Sequence, residues 1–177
     1  MQTRKEYSIQ FVSLGLGEHK FEFTVTDKFF ENLDYSEIKQ GNILVKVNLI
    51  RQSQMMILEF DITGTVNVLC DLCATEFDMP ISGTYKLIVK LSGDDINDKD
   101  DDIIIVGAQE HQLDLSQYIY EYVSLSLPIK RIHPLDAKGK PTCNKEMLKK
   151  VQKFLTKEEK KDTTDPRWND LKNIKLN

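Results

Sequence analysis

Apolar and polar residues alternate with a period of two along much of the chain. Tyr7, Ile9 and Phe11 alternate with other neighbours, as do Phe21, Phe23 and Val25, with Gly15-Leu16-Gly17 as a loop between them. This spacing puts one row of side chains on one face of an extended strand. The stripe resumes at Ile43, Val45, Val47 and Leu49 after a Gly41-Asn42 turn signal. The polar break Arg51-Gln52-Ser53-Gln54 follows, then Met56, Leu58, Phe60 and Ile62. Thr63-Gly64 reads as a further turn, beyond which Val66, Val68 and Cys70 continue the stripe. Tyr85, Leu87, Val89 and Leu91 form another strand after Gly83, and Ile103 to Val106 a short apolar one. Successive strands joined by short turns predict an antiparallel sheet, either open or barrel-like.

Helical spacing interrupts this pattern three times. Asp27 is placed to cap a short helix over residues 27–33 carrying Phe29, Phe30 and Leu33. Asp114, three residues before Gln117, opens a helix over 115–126 in the manner of a capping box. Its apolar residues Tyr118, Ile119, Tyr122, Val123 and Leu125 read as a face packed on the sheet rather than a base-stacking platform, and Pro128 closes it. A last amphipathic helix over 144–155, capped by Thr142 or Asn144, carries Met147, Leu148, Val151, Phe154 and Leu155. The fold class is therefore α+β, with a few packed helices and a basic helical C-terminal segment.

Composition adds class. The chain has 177 residues, 40% of them hydrophobic and 29% charged, which fits one globular domain with an appendage. No apolar run reaches the roughly 20 residues of a membrane span, and no apolar signal core follows Met1 to Tyr7. A cytoplasmic protein is the expectation. Net charge changes the picture more. Residues 1–127 carry 10 Lys+Arg against 21 Asp+Glu, a net of −11, while residues 128–177 carry 14 against 7, a net of +7. The boundary expected from sequence divides an acidic β-rich domain, 1–135, from a basic helical extension, 136–177. A basic tail on an acidic body admits an anionic partner such as nucleic acid, or is simply a solvated lysine-rich surface. The aspartate-rich run Gly93 to Asp102 lacks the Gly and Glu positions of an EF-hand calcium loop.

Chemistry concentrates in cysteine. Three cysteines do not make a disulfide framework. Cys70-Asp71-Leu72-Cys73 can turn two thiolates onto one metal, which is half of a tetrahedral site. His133 and Cys143, flanking the basic connector, are the candidates that would complete a structural Cys₃His zinc site. Cys70 is also placed to be plain core, and a redox pair would need a parallel βαβ setting that the pattern lacks. No Gly-x-Ser-x-Gly, P-loop, His-Glu-x-x-His or dinucleotide glycine fingerprint is present, so the residues give little support for an enzyme and point to no small-molecule substrate.

Three segments, in order, resemble the YceD family of large ribosomal RNA subunit accumulation proteins. They are Val66 to Cys73, a strand entering a Cys-x-x-Cys turn; Leu127-Pro128-Ile129 followed by His133 and Cys143; and Asp165-Pro166-Arg167-Trp168-Asn169-Asp170-Leu171-Lys172. The resemblance spans roughly residues 40–175. It departs at Leu72, where many members carry Arg, and at the C-terminal side, where many carry further cysteines and this chain has Cys143. The resemblance implies a non-catalytic ribosome-biogenesis factor supporting accumulation or processing of 23S rRNA. Its partner would be large-subunit rRNA or a preribosomal particle, with no membrane. Lys130, Arg131, Lys138, Lys140, Lys145, Lys149, Lys150 and Lys153 are the candidate phosphate contacts, and Asp165 to Trp168 a candidate motif. The alternatives are a module binding ribosomal proteins or assembly factors, and a small zinc or redox protein built on Cys70 and Cys73.

Overall fold

The computed structural model describes residues 6–91, 103–107, 109–140 and 142–154. Among these residues, seven strands and three α-helices follow in chain order: β1 Ser8–Ile9, β2 Gly17–Val25, α1 Asp27–Glu31, β3 Gly41–Arg51, β4 Met55–Leu69, β5 Glu76–Leu91, β6 Ile103–Val106, β7 Leu113–Asp114, α2 Ser116–Leu125 and α3 Lys145–Phe154. The fold is α+β, with a five-stranded sheet in the order β2-β3-β4-β5-β6 and a two-stranded sheet pairing β1 with β7. The larger sheet is antiparallel except for β5 and β6, which run parallel. It is not a barrel: β2 and β6 are edges that do not meet.

Period-two patterning builds the sheet. Ile43, Val45, Val47 and Leu49 on β3 and Met56, Leu58, Phe60, Ile62, Val66 and Val68 on β4 are buried in one core. Their alternate neighbours, such as Lys46, Glu59 and Asp61, are exposed on the other face. An antiparallel sheet covered on one side gives this pattern. The cover is α1 and α2. Phe29 and Phe30 of α1 are buried, as are Ile119 and Val123 of α2. Tyr122 stacks on Tyr85 with ring centroids 4.6 Å apart and meets Phe60 edge-on at 5.0 Å. The aromatic stripe of α2 is thus a packing face.

Thr63-Gly64, an expected turn, lies inside β4, and β5, expected to start after Gly83, begins at Glu76 and runs through it. Gly64 occupies a buried-stripe position opposite Ile43 and Ile81. A Cβ there would stand 2.3 Å from the Asn42 carbonyl oxygen. The glycine serves close approach of two strands, not chain reversal. At Gly83, opposite Ile62, a Cβ would stand 2.6 Å from the Ser126 hydroxyl beyond α2. Gly41-Asn42 likewise opens β3, with the Gly41 N–H donating to Asp27 Oδ1 at 2.8 Å. Among the described residues β6 pairs only with Ile88–Leu91, so Pro80 stands on a stretch of β5 with a strand on one side only, where proline is tolerated. The first strand is short. After Ile9 the chain enters a 3₁₀ turn, Phe11–Ser13, and Arg51 donates to the carbonyls of Phe11, Val12 and Leu14.

Candidate metal centre and basic segment

The tight connection between β4 and β5 carries the cysteine pair. Cys70 N–H donates to the Thr75 carbonyl at 2.9 Å and Ala74 N–H to the Cys70 carbonyl at 2.8 Å. Ala74 takes a left-handed φ of 53° where the chain reverses between β4 and β5. The stripe that places Val66 and Val68 in the core continues to Cys70, so the knuckle faces inward.

A strap after α2 crosses this knuckle. Asp71 N–H donates to the Arg131 carbonyl at 2.7 Å, and Arg131 N–H returns the bond to Asp71 Oδ2 at 2.7 Å. The Arg131 guanidinium lies 3.8 Å from Asp71 and 3.6 Å from Glu37. Two residues on, His133 stacks on Phe77 of β5, ring centroids 4.4 Å apart. Asp136 holds the following loop by accepting from Lys138 N–H at 2.8 Å and Lys140 N–H at 2.7 Å. Thr142 donates its hydroxyl to the Pro134 carbonyl at 2.6 Å. Of the two expected caps, Asn144 opens α3, its side-chain oxygen accepting from Glu146 N–H at 3.0 Å and Met147 N–H at 3.2 Å.

These contacts bring Cys70, Cys73, His133 and Cys143 together, with one ligand atom from each lying within 4.8 Å of all the others. Cys70 Sγ is 3.8 Å from Cys143 Sγ, and Cys73 Sγ is 3.6 Å from His133 Nδ1. All three cysteines are free and buried, packed with Phe77, Met147 and Leu148 in a cluster separate from the main core. A disulfide would need the sulfurs about 2.05 Å apart. The local field separates the thiols. Burial opposes ionisation of Cys70, but backbone hydrogen bonds from Leu72, Cys73 and His133, with the Cys73 thiol, outweigh it and bring the pKa down to about 7. Burial also opposes ionisation of Cys73, and bonds to Thr75 and the Asn144 backbone outweigh it, so its pKa is lowered. For Cys143, burial and the neighbouring Cys70 and Cys73 act together and push it up to about 11. Three sulfurs and an imidazole are the donors a soft tetrahedral ion takes.

The candidate phosphate contacts divide. Lys130, Lys138, Lys140, Lys145, Lys149, Lys150 and Lys153 are exposed, whereas Arg131 is engaged with Asp71 and Glu37. Asp165, Pro166, Arg167 and Trp168 lie outside the described residues, as does the aspartate run at 93–102. A groove of about 820 Å³ crosses the solvent face of β2 to β5 among Lys20, Lys46, Lys86, Glu22, Glu59 and Asp61, and shares no residue with the cysteine cluster.

A family model described as the large ribosomal RNA subunit accumulation protein YceD matches residues 58–175. The chain belongs to the YceD family. Membership implies a role in accumulation of the large-subunit ribosomal RNA. The matched region takes in the knuckle, the strap and α3. No curated protein and no solved structure matches the chain.

Asp71, Arg131, Phe77 and Asn144 position the cluster. Asn144 stood out in the sequence only as a candidate cap. Asp71 stood there as the interior of the cysteine pair and Arg131 as a phosphate contact. Their pairing spans 60 positions and leaves no local signal.

Proposed function

We propose that the protein is a non-catalytic, cytoplasmic ribosome-biogenesis factor that supports 23S rRNA accumulation by associating with rRNA or a preribosomal particle through its basic segment. Family membership carries the biological role. The contact mode is supported by α3, a helix with no buried residue. Its Lys145, Lys149, Lys150 and Lys153 are all exposed, and none forms an ion pair among the described residues. Cations held this way can neutralise phosphates, releasing counterions and giving salt-dependent binding of low sequence specificity. The acidic body, repelled by the same polyanion, orients the encounter.

A salt titration of binding to large-subunit rRNA fragments tests this. Each phosphate contact on single-stranded RNA contributes about 0.7 to the slope of log K against log salt. Replacing Lys149, Lys150 and Lys153 by Glu should flatten that slope and weaken binding; an unchanged slope sinks the proposal. A second reading, docking on a ribosomal protein or assembly factor, is favoured by exposed apolar residues on the knuckle and strap: Leu72, Ile129 and Ile132. Partner retention after RNase treatment would favour it, and loss would favour RNA.

A further inference from the structure

We propose that β2 is an interaction edge for a second copy of this chain, the two β2 strands pairing antiparallel about a two-fold axis at Phe21. β2 spans Gly17–Val25 and pairs with β3 alone; among the described residues no strand lies beyond it. The hydrogen-bond phase decides which of its backbone groups turn outward. In the β3–β4 hairpin the Gln52 N–H donates to the Met55 carbonyl at 2.8 Å. Bonded and non-bonded pairs alternate along an antiparallel ladder, so the even-numbered residues of β3 bond to β4 and the odd-numbered ones to β2. Their partners on β2 are Gly17, His19, Phe21, Phe23 and Val25. The amides and carbonyls of Glu18, Lys20, Glu22 and Thr24 therefore face away from the sheet. The Thr24 carbonyl accepts from the Tyr7 hydroxyl at 3.1 Å, which agrees with this phase and places the open stretch at Glu18 to Glu22.

The side chains of that edge are complementary to themselves. Phe21 is the middle residue of β2, so an axis there overlaps the whole strand with its copy. Lys20 then faces the second copy's Glu22, and Glu22 faces the second copy's Lys20, both as hydrogen-bonded pairs on the solvent face. This is an isologous contact, in which each patch meets its own likeness. The same charges fit the rows behind them. Asp61, Lys46 and Glu22 stand side by side across the sheet, so the second copy's Lys20 continues an alternation of sign through the junction. Neighbouring registers fail. An axis at Lys20 or at Glu22 sets that residue against itself, and like charges directly opposite are destabilising. An axis at His19 overlaps only Gly17 to Phe21 and leaves Phe23 uncovered. On the other face, Phe21 and Phe23 are half-buried, whereas Val47 and Val45 beside them in β3 are fully buried. Pairing covers this aromatic margin. In the single chain Lys20 meets Glu18 at 3.7 Å, but both side chains are mostly exposed, so that contact holds Lys20 only weakly. The contact uses neither the cysteine cluster nor the lysines of α3, and it stands apart from the RNA reading.

Sedimentation velocity of the full-length protein over a concentration series should show a monomer–dimer equilibrium. Lys20→Glu alone and Glu22→Lys alone should each weaken the dimer by roughly 10–100-fold, because both symmetric pairs become like-charged. The two side chains are exposed, so neither change should move the unfolding midpoint. Mixing the two variants should restore association, since one chain then offers only acids and the other only bases at these positions. Lys20→Pro, which removes an outward amide and no bond to β3, should abolish the dimer while leaving the sheet folded. In hydrogen exchange the amides of Lys20 and Glu22 should gain protection as concentration rises. A monomer throughout the series would overturn the proposal. So would a dimer indifferent to Lys20→Glu, a mixture no tighter than either variant alone, or protection of these amides that does not change with concentration.

Discussion

The β-body and the basic segment are held by opposite means. In the body, rows of aliphatic and aromatic side chains from β2 to β6, α1 and α2 share one core, and Val25, Ile43, Val45, Leu49, Leu58 and Ile62 are wholly inaccessible. Removing apolar surface from water is nondirectional and additive, so such a core tolerates the loss of any single polar bond. In the basic segment, α3 has no fully buried residue, and its seat is three cysteines, one histidine and its own half-buried Met147 and Leu148. Few-contact attachment of this kind depends on direction and chemistry. The contrast shows why a lysine-rich helix can stay solvated and available while still having a fixed place: its attachment lies at its entrance rather than along its length.

That contrast can be attacked from both sides. The largest loss is expected in the body. Phe60→Ala removes a ring that packs in the core and against Tyr122, and should cost about 3–5 kcal/mol in denaturant unfolding. A loss below about 1 kcal/mol would mean that the sheet core is not what holds the body. An intermediate effect belongs to the junction. Asp71→Ala leaves the Arg131 amide without its side-chain acceptor and should cost about 1–2 kcal/mol, with hydrogen exchange rising in the strap before the sheet. Uniform loosening of sheet and strap would erase the distinction between the two regions. The smallest effect should come from α3 itself. Phe154→Ala should stay within about 0.5 kcal/mol, because an exposed side chain loses little on truncation. A larger destabilisation would show that the helix is seated by burial after all.

Much of the fold was legible as alternation. The stripes through β3, β4 and the second half of β5, the three helices and the end of α2 before Pro128 all follow from local spacing. The glycines misled because glycine punctuates turns and also admits close backbone approach, and a single position does not say which. The unbroken parity from Met56 through Val68 was the available signal that β4 continues past Gly64. Parallel pairing of β6 with β5, and the failure of the sheet to close, depend on long-range strand placement.

The cysteine site divides in the same way. Sequence by itself determined the donor types, the knuckle at the end of a strand, and the basic character of everything after Pro128, because these depend on residue chemistry and neighbours in the chain. Only the tertiary structure decided that His133 and Cys143 meet Cys70 and Cys73, that Arg131 faces Asp71 rather than solvent, and that α3 is attached at its first turn. Those outcomes join residues some 60 to 73 positions apart. Such meetings arise once the sheet core has fixed where β4 ends, where α2 ends and how far the strap must reach.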